Sequence, residues 1–560
     1  MPADSDTDIA AAAAPQERVP LGTKIAAGAG EGAINLGVNL PKNFSFLIYN
    51  LILGINPVLL GVALFIPRLW DAIIDPLMGN ISDNTRSRFG RRKPYMLVGG
   101  ILAAVGMALL CFVPSDIGGD AWRTEMIEWQ LDFRWMFPGD EMGLLDLTAS
   151  KRDYFYSGWL LVISLFFYTT LTIFAVPYGA LTMELTRDYE ERTRVMSFRT
   201  LFTYLTGFTM AWLFPLATSG FFDKPFFVDR FGSPELAACA VIGGILALIV
   251  LVCMMLPTLL VREPALQRKV ARATPAQAAS AEAKIGFIPA LLATLNRPAF
   301  LMIIAAYTIG FLGVILVVGF GNYVAIFHVY DGDKNLGSTV QAWAQTVAIL
   351  AGIGATFLIN RFANRVEKKV LLIAALSSSF IGGLLTWVLY NPALPTGNLM
   401  APLHWVGLAG EDAWLGDLNW PVHPLTLAYA MIWPGLAGLL IMSNSMIADI
   451  CDIDELDTGK RREGMYWAVF NWIQKSAISI ALLFSGVLLY VVDFDSTPDA
   501  IQSTSTIRGL RIAFMAGVCG GVGIAILIVA FLPLSKARLA AVRAELEARR
   551  HAPAEVAPDA

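Results

Sequence analysis

Residues 68–94 read RLWDAIIDPLMGNISDNTRSRFGRRKP, an apolar stretch that holds Arg68, Asp71 and Asp75 and then runs into five cations, Arg86, Arg88, Arg91, Arg92 and Lys93. On a helix the first three fall at i, i+3 and i+7 and project from one face. Two carboxylates one turn apart in a low-dielectric setting cannot both stay ionised without a bound cation or a shared proton. A plain salt bridge from Arg68 to one aspartate would tie helices together, but it needs only one carboxylate. The doubled acid therefore points to a cation-binding pair inside a membrane segment, where acids are costly and usually functional.

Composition supports the membrane setting. The chain has 560 residues, 56% of them hydrophobic and only 15% charged, with a mean hydropathy of +0.59, which is too apolar for a soluble protein of this size. The N-terminal MPADSDTDIAAAAAPQERVPLGTK carries acids and prolines and lacks the layout of a cleaved signal, so the first apolar segment is expected to remain as a membrane helix. Five cysteines lie singly and give no disulfide framework or metal pair. The net charge of -4 offers no argument for nucleic acid.

About twelve stretches are long enough to cross a bilayer: 31–52, 57–82, 94–114, 155–185, 197–218, 235–261, 298–327, 338–360, 370–390, 425–450, 464–492 and 509–534. Alternate loops hold the cations, among them Arg187, Arg192 and Arg194, then Arg361, Arg365, Lys368 and Lys369, then Lys460, Arg461 and Arg462. By the positive-inside rule these loops and both termini face the cytoplasm. The intervening loop 391–424 has no Lys or Arg, and the loop 115–154 is long enough to cross despite its four cations. Trp122, Trp129, Trp135, Trp405, Trp414 and Trp420 in these two loops read as interfacial packing.

The expected fold is an all-α membrane protein of about twelve helices in two six-helix halves. Its parts are a cytoplasmic tail 1–27, a bundle 28–261, a charged, Ala-rich linker 262–297, a second bundle 298–534 and a tail 535–560 that forms a short exposed helix before fraying. A weak repeat supports two halves, since the basic turn after the second span has a counterpart in INRFANRVEKKVLLIAAL after the eighth.

Other polar residues interrupt the spans. In the first, Glu31, Asn35, Asn39 and Lys42 make one stripe that is expected to face a cavity, offering donors and acceptors for a hydroxyl-rich ligand; gluing neighbouring helices is the equal alternative for any one Asn. In the eleventh, Trp467, Asn471 and Lys475 lie on one face, and an intramembrane Lys needs an acid, with Asp71 and Asp75 the obvious partners. Thr172 lies mid-span in YTTLTIFAVPYGAL, and Arg199 opens the fifth span as a ligand or as a positive-inside anchor. The four histidines fall in loops or tail, which excludes them as proton carriers. The sequence has no GxxxxGK[ST] loop, no HExxH and no Ser/His/Asp constellation, so neither ATP-driven pumping nor enzyme activity is expected.

RLWDAIIDPLMGNISDNTRSRFGRRKP resembles the signature of the glycoside, pentoside and hexuronide to cation symporters, the melibiose permease branch of the major facilitator superfamily. ADICDIDELDTGKRREGMYWAVFNWIQK is similar to the block before and within that family's eleventh span. The resemblance implies the major facilitator fold, with Asp71 and Asp75 serving the coupling cation. It also implies that Lys475, Thr172 and Arg199 match functional positions of the family. Two departures matter. Ile74 stands where the melibiose permease has an Asn between the acids, which removes an oxygen ligand and favours H⁺ over Na⁺ at Asp71 and Asp75. Ala175 and Gly179 stand where the galactose-holding acid and aromatic would be, and Asn35 aligns with a first-span acid.

The expectation is thus H⁺-coupled sugar transport, more specifically symport of a sugar or glycoside by alternating access. Asp71, Asp75, Thr172 and Lys475 are expected to couple the cation, and Asn35, Asn39, Lys42, Arg199, Trp467 and Asn471 to hold substrate. No cofactor other than the ion is expected. The partners are a small-molecule substrate and the lipid bilayer, without nucleic acid, for a monomer in a bacterial inner membrane. An amphiphilic or lipid-like solute, or a non-transporting sensor on the same scaffold, is the alternative.

Overall fold

A computed structural model describes residues 19–85, 87, 89–114, 119–127, 130–132, 144–146, 148–183, 185, 189–261, 294–363, 365–398, 421–458, 463–497, 500–534 and 536–551. The residues anticipated as the first part of the N-terminal tail, most of the linker 262–297 and most of the loop 391–424 lie outside this set, as do Trp129, Trp135, Trp405, Trp414, Trp420 and the end of the C-terminal tail.

Among the described residues twelve long helices follow one another: α1 (Leu21–Leu40), α2 (Pro57–Asn84), α3 (Lys93–Cys111), α4 (Lys151–Met183), α5 (Tyr189–Ala217), α6 (Pro234–Leu260), α7 (Pro298–Val324), α8 (Lys334–Phe362), α9 (Lys368–Leu389), α10 (Leu425–Thr458), α11 (Glu463–Val491) and α12 (Thr504–Ala530). Eleven, α2 to α12, are long and apolar enough to cross a membrane. The exception is α1, whose polar stripe lowers its hydropathy; it continues through π-helical turns at Pro41–Ser45 and Ile48–Ile52. It also starts ten residues before the expected span, because Ala26, Ala27, Gly28, Ala29 and Gly30 are all buried and let it pack closely on its neighbours.

The even-numbered helices share a device. Each begins with a side chain accepting a backbone N–H of its first turn: Asn56 from Val58, Ser150 from Asp153, Ser233 from Leu236, Asp333 from Leu336, His423 from Leu425 and Ser503 from Thr506. Helix N-termini leave such donors unpaired, and these six lie at the end of the molecule opposite the basic loops. Side chains also tie neighbouring helices: Ser378 and Ser379 of α9 donate to the carbonyls of Met431 and Ile432 of α10.

In the first half α1 packs on α5 and α6, α2 on α4, and α3 on α4 and α6; in the second, α7 packs on α12, α8 and α9 on α10, and α9 on α12. The halves meet where α2 lies along α11 and α5 along α8. At the capped end the α2–α11 seam is backbone to backbone: a Cβ on Gly486 would stand 2.2 Å from the carbonyl oxygen of Pro57. Asn50 adds a polar tie, accepting from Tyr323 at 2.6 Å and donating to Ser496 at 2.9 Å. Toward the basic end, α2 exposes Ile73, Leu77 and Ile81 and α11 exposes Trp467 and Trp472. The cleft between the halves is therefore sealed at the capped end.

Three differences from expectation follow from packing. The C-terminal segment Lys536–His551 forms a helix, α13, as expected, but its apolar Val542 and Leu546 are buried and it packs on α10 rather than standing exposed. His328 lies in a π-helical turn that extends α7, not in a loop. The loop 115–154 carries a short helix, Gly119–Thr124, and two short antiparallel strand pairs, 126–127 with 149–150 and 130–132 with 144–146. Trp122 there packs on Phe155, with the Lys151 ammonium 5.3 Å from its ring centre.

Candidate functional site

Asp71 and Asp75 sit near the middle of α2, where its contact with α11 passes from backbone packing to charged side chains. Spaced one turn apart, both carboxylates reach the same two partners. Thr172 of α4 donates its hydroxyl to Asp71 Oδ1 at 2.6 Å and lies 3.4 Å from Asp75 Oδ1. Lys475 of α11 places its ammonium 3.0 Å from Asp71 Oδ2 and bonds Asp75 Oδ2 as well. Arg68, one turn earlier, donates to Asp71 Oδ2 at 2.8 Å, and its guanidinium carbon lies 5.0 Å from the centre of the Tyr168 ring.

The two acids are not equivalent. Asp71 is 5% exposed and meets two cations, while Asp75 is 31% exposed and meets only Lys475. Asp75 is thus the more accessible member of the pair, and Lys475 is bonded to both. Ile74, between them, is buried and contributes no oxygen.

A second cluster lies on the first half. Arg199 of α5 donates Nε to Glu31 Oε2 at 2.9 Å and also bonds it through Nη2; its Nη1 reaches Thr182 at 3.2 Å, and its guanidinium carbon stands 5.4 Å from the Tyr178 ring centre. One turn along α1, Asn35 Oδ1 accepts from Asn39 at 3.1 Å and from Thr206 at 2.9 Å. The stripe on α1 is part-exposed and is bonded to α5 through Arg199 and Thr206. The Lys42 side chain is outside the described residues.

On α11, Trp467 and Asn471 lie two turns and one turn before Lys475 on the same face, both exposed, with Trp467 stacked on Phe470 at 5.8 Å. They join neither cluster directly. Sequence reasoning left out several neighbours. Gln474 donates to Tyr307 at 2.5 Å, and the Trp70 indole donates to Thr169 at 3.1 Å. A small cavity of about 40 Å³ between the halves is lined by Asn43, Asn322, Gln345 and Ser485, with Phe46 and Met210 among its apolar walls. The adjacency of Gln474 to Lys475 was a readable signal; the cavity, drawn from the continuation of α1 and from α5, α7, α8 and α11, gave none.

Known proteins fit this arrangement. An uncharacterized symporter of Synechocystis sp. is 24% identical, covering 95% of this chain and 98% of its own. The sodium-dependent lysophosphatidylcholine symporter 1 of Gallus gallus is 27% identical over 33% of this chain and 28% of its own. The crystal structure of a D-xylose–proton symporter superposes with a TM-score of 0.55 at 13% identity, over 92% of this chain and 98% of that one, a likeness of fold. The family model for MFS/sugar transport proteins matches residues 26–123 and 146–536. With helices that span, meet and cross in this way and most of its length matched, the chain belongs to the MFS/sugar transport protein family, a group of multi-pass membrane proteins of the major facilitator fold.

Proposed function

We propose that this protein is an H⁺-coupled symporter of a sugar or glycoside, of the glycoside-pentoside-hexuronide kind, working by alternating access. The observation that carries the reading is Lys475: one ammonium from the second half held by two carboxylates of the first. A proton on Asp75 removes one of the two charges that hold Lys475, weakening the tie between α2 and α11. Thr172, bridging both acids, keeps them oriented through the change. An ion event is thereby converted into relative movement of the halves.

Proton rather than sodium is favoured because Ile74 supplies no ligand where a hard cation would need oxygens. Sugar is favoured over lipid because Asn43, Asn322, Gln345 and Ser485 bring uncharged donors and acceptors together between the halves. The stretch similar to lysophosphatidylcholine symporters supports the second reading, a sodium-coupled amphiphile transporter. In the favoured reading the basic loops face the cytoplasm of a bacterial inner membrane and the cleft is open inward.

The test is uptake into proteoliposomes of a labelled panel of neutral glycosides and of lysophosphatidylcholine, under a pH gradient and, separately, a Na⁺ gradient. Accumulation of a glycoside driven by pH alone is expected. Accumulation of the lysolipid driven by Na⁺ alone would replace the reading with the second one.

A further inference from the structure

Glu31 has no place in the coupling scheme, yet it ties α1 to α5 by an ion pair. One oxygen of its carboxylate, Oε2, accepts from two nitrogens of Arg199, Nε at 2.9 Å and Nη2, as charge-assisted hydrogen bonds. The pair is not interior packing, since 26% of the Glu31 side chain and 15% of that of Arg199 are exposed. Within its own half α1 is flanked by α4, α5 and α6, and its part-exposed Glu31, Asn35 and Asn39 recur once per turn on one face, a row that runs on to Asn43 on the wall of the cavity between the halves.

Among the described residues the two charged clusters balance. The two clusters hold three carboxylates, Glu31, Asp71 and Asp75, and three cations, Arg68, Arg199 and Lys475. The polar side chains of the cavity, Asn43, Asn322, Gln345 and Ser485 among them, are uncharged. A lone guanidinium in such a wall would be an anion site, because its charge is poorly screened there and finds a carboxylate or phosphate before a hydroxyl. Paired with Glu31, it retains donors without the net charge.

We propose that Glu31 is a specificity-determining residue: it cancels the charge of Arg199, so that the cleft selects uncharged solutes and rejects anionic ones. This deepens the transporter reading above and rests on it for the identity of the cleft. Glu31 acts through Arg199 and is a positioning residue. Removing either partner of the pair swaps the preference: Glu31→Gln creates an anion site and Arg199→Gln creates a cation site.

The experiment uses the full-length protein in nanodiscs at fixed ionic strength and pH 7.5, with calorimetric binding of methyl glucoside, glucuronate and glucosamine to wild type, Glu31→Gln, Glu31→Asp and Arg199→Gln. Glucuronate is expected to bind Glu31→Gln at least about tenfold more tightly than wild type, the effect of one charge-assisted hydrogen bond, and Glu31→Asp no better than wild type. Glucosamine should gain similarly on Arg199→Gln. Glucuronate binding Glu31→Gln no better than wild type overturns the proposal; if that variant does not fold, the absence of a glucosamine gain on Arg199→Gln does so instead. Both readings compare variants on charged probes. An anion gain in Glu31→Gln beside a wild type that moves no neutral glycoside would therefore sink the sugar assignment and leave the role of Glu31 standing.

Discussion

The α2–α11 seam is built in two ways along one pair of helices. At the capped end Gly61 and Gly486 bring backbones together, and Val58, Leu60 and Leu64 of α2 are buried to 1% exposure or less. Halfway along, contact passes to Lys475 and the two aspartates, and beyond them the helices expose apolar side chains. The first region depends on shape, which responds to no ion; the second depends on charge, which one proton changes. The proposed cycle, in which one end opens while the other closes, needs both, because close packing gives discrete arrangements and a charged contact lets an ion choose between them.

The comparison breaks most readily at Gly486. Gly486→Leu puts atoms where the Pro57 carbonyl stands, and overpacking of this kind typically costs about 1–3 kcal/mol, here directed at one conformation. The seal should fail and transport be lost. A cysteine placed at Met210, on the cavity wall, should gain maleimide labelling detected by mass spectrometry; unchanged labelling would mean that shape does not hold that end.

Next in size is Lys475→Gln, which leaves two carboxylates facing each other. Breaking a buried ion pair costs about 3–5 kcal/mol, less here because Asp75 is partly solvated. The thermal midpoint should fall, and Lys475→Gln combined with Asp75→Asn should recover much of it, since the unpaired charge is then gone. A double variant no more stable than the single would contradict the pairing.

A smaller effect is expected at Thr172. Thr172→Val removes the hydroxyl shared by the two acids and should cost about 1–2 kcal/mol as their acceptors lose a donor, with reduced accumulation ratios. Thr172→Ser should restore them; failure of that rescue would show that the methyl group, not the hydroxyl, matters.

The smallest lies outside the seam. Glu191, near the start of α5, accepts from Lys24 at 2.8 Å, from Arg194 at 2.5 Å and from the Val19 N–H at 3.1 Å. The bond from Lys24 and these further donors hold its carboxyl down at about 2, against an ordinary value of 4.5. A depressed folded-state value stabilises above the unfolded value, so its contribution is full above about pH 4.5 and is lost between there and about pH 2. Glu191→Gln should lower the unfolding midpoint at pH 7 and make little difference near pH 2; an equal loss at both would assign the effect to packing.

The sequence showed these regions unequally. Asp71, Asp75 and Lys475 were legible because an ionised group in an apolar run is conspicuous and helical spacing fixes which share a face. Thr172 joined them only through a resemblance, since one threonine in a span carries no signal of its own. The glycine seam was not legible: Gly61 and Gly486 are two of 48 glycines, and close approach is a property of the partner helix. The continuation of α1 past Pro41 was legible as one apolar span, 31–52, but its π-helical winding was not, because it carries no hydrophobic period of its own. The pairing of Glu31 with Arg199 needed the crossing of α1 and α5, for which the sequence supplies no register.

The central claim, that the carboxylate pair under Lys475 couples an ion to movement of the halves, is tested most directly by transport through Asp75→Asn. Wild type and variant proteoliposomes would be compared for counterflow, which needs no net ion movement, and for accumulation driven by a pH gradient. The account predicts that Asp75→Asn keeps counterflow and loses accumulation. A variant that still concentrates solute against its gradient as wild type does would contradict it.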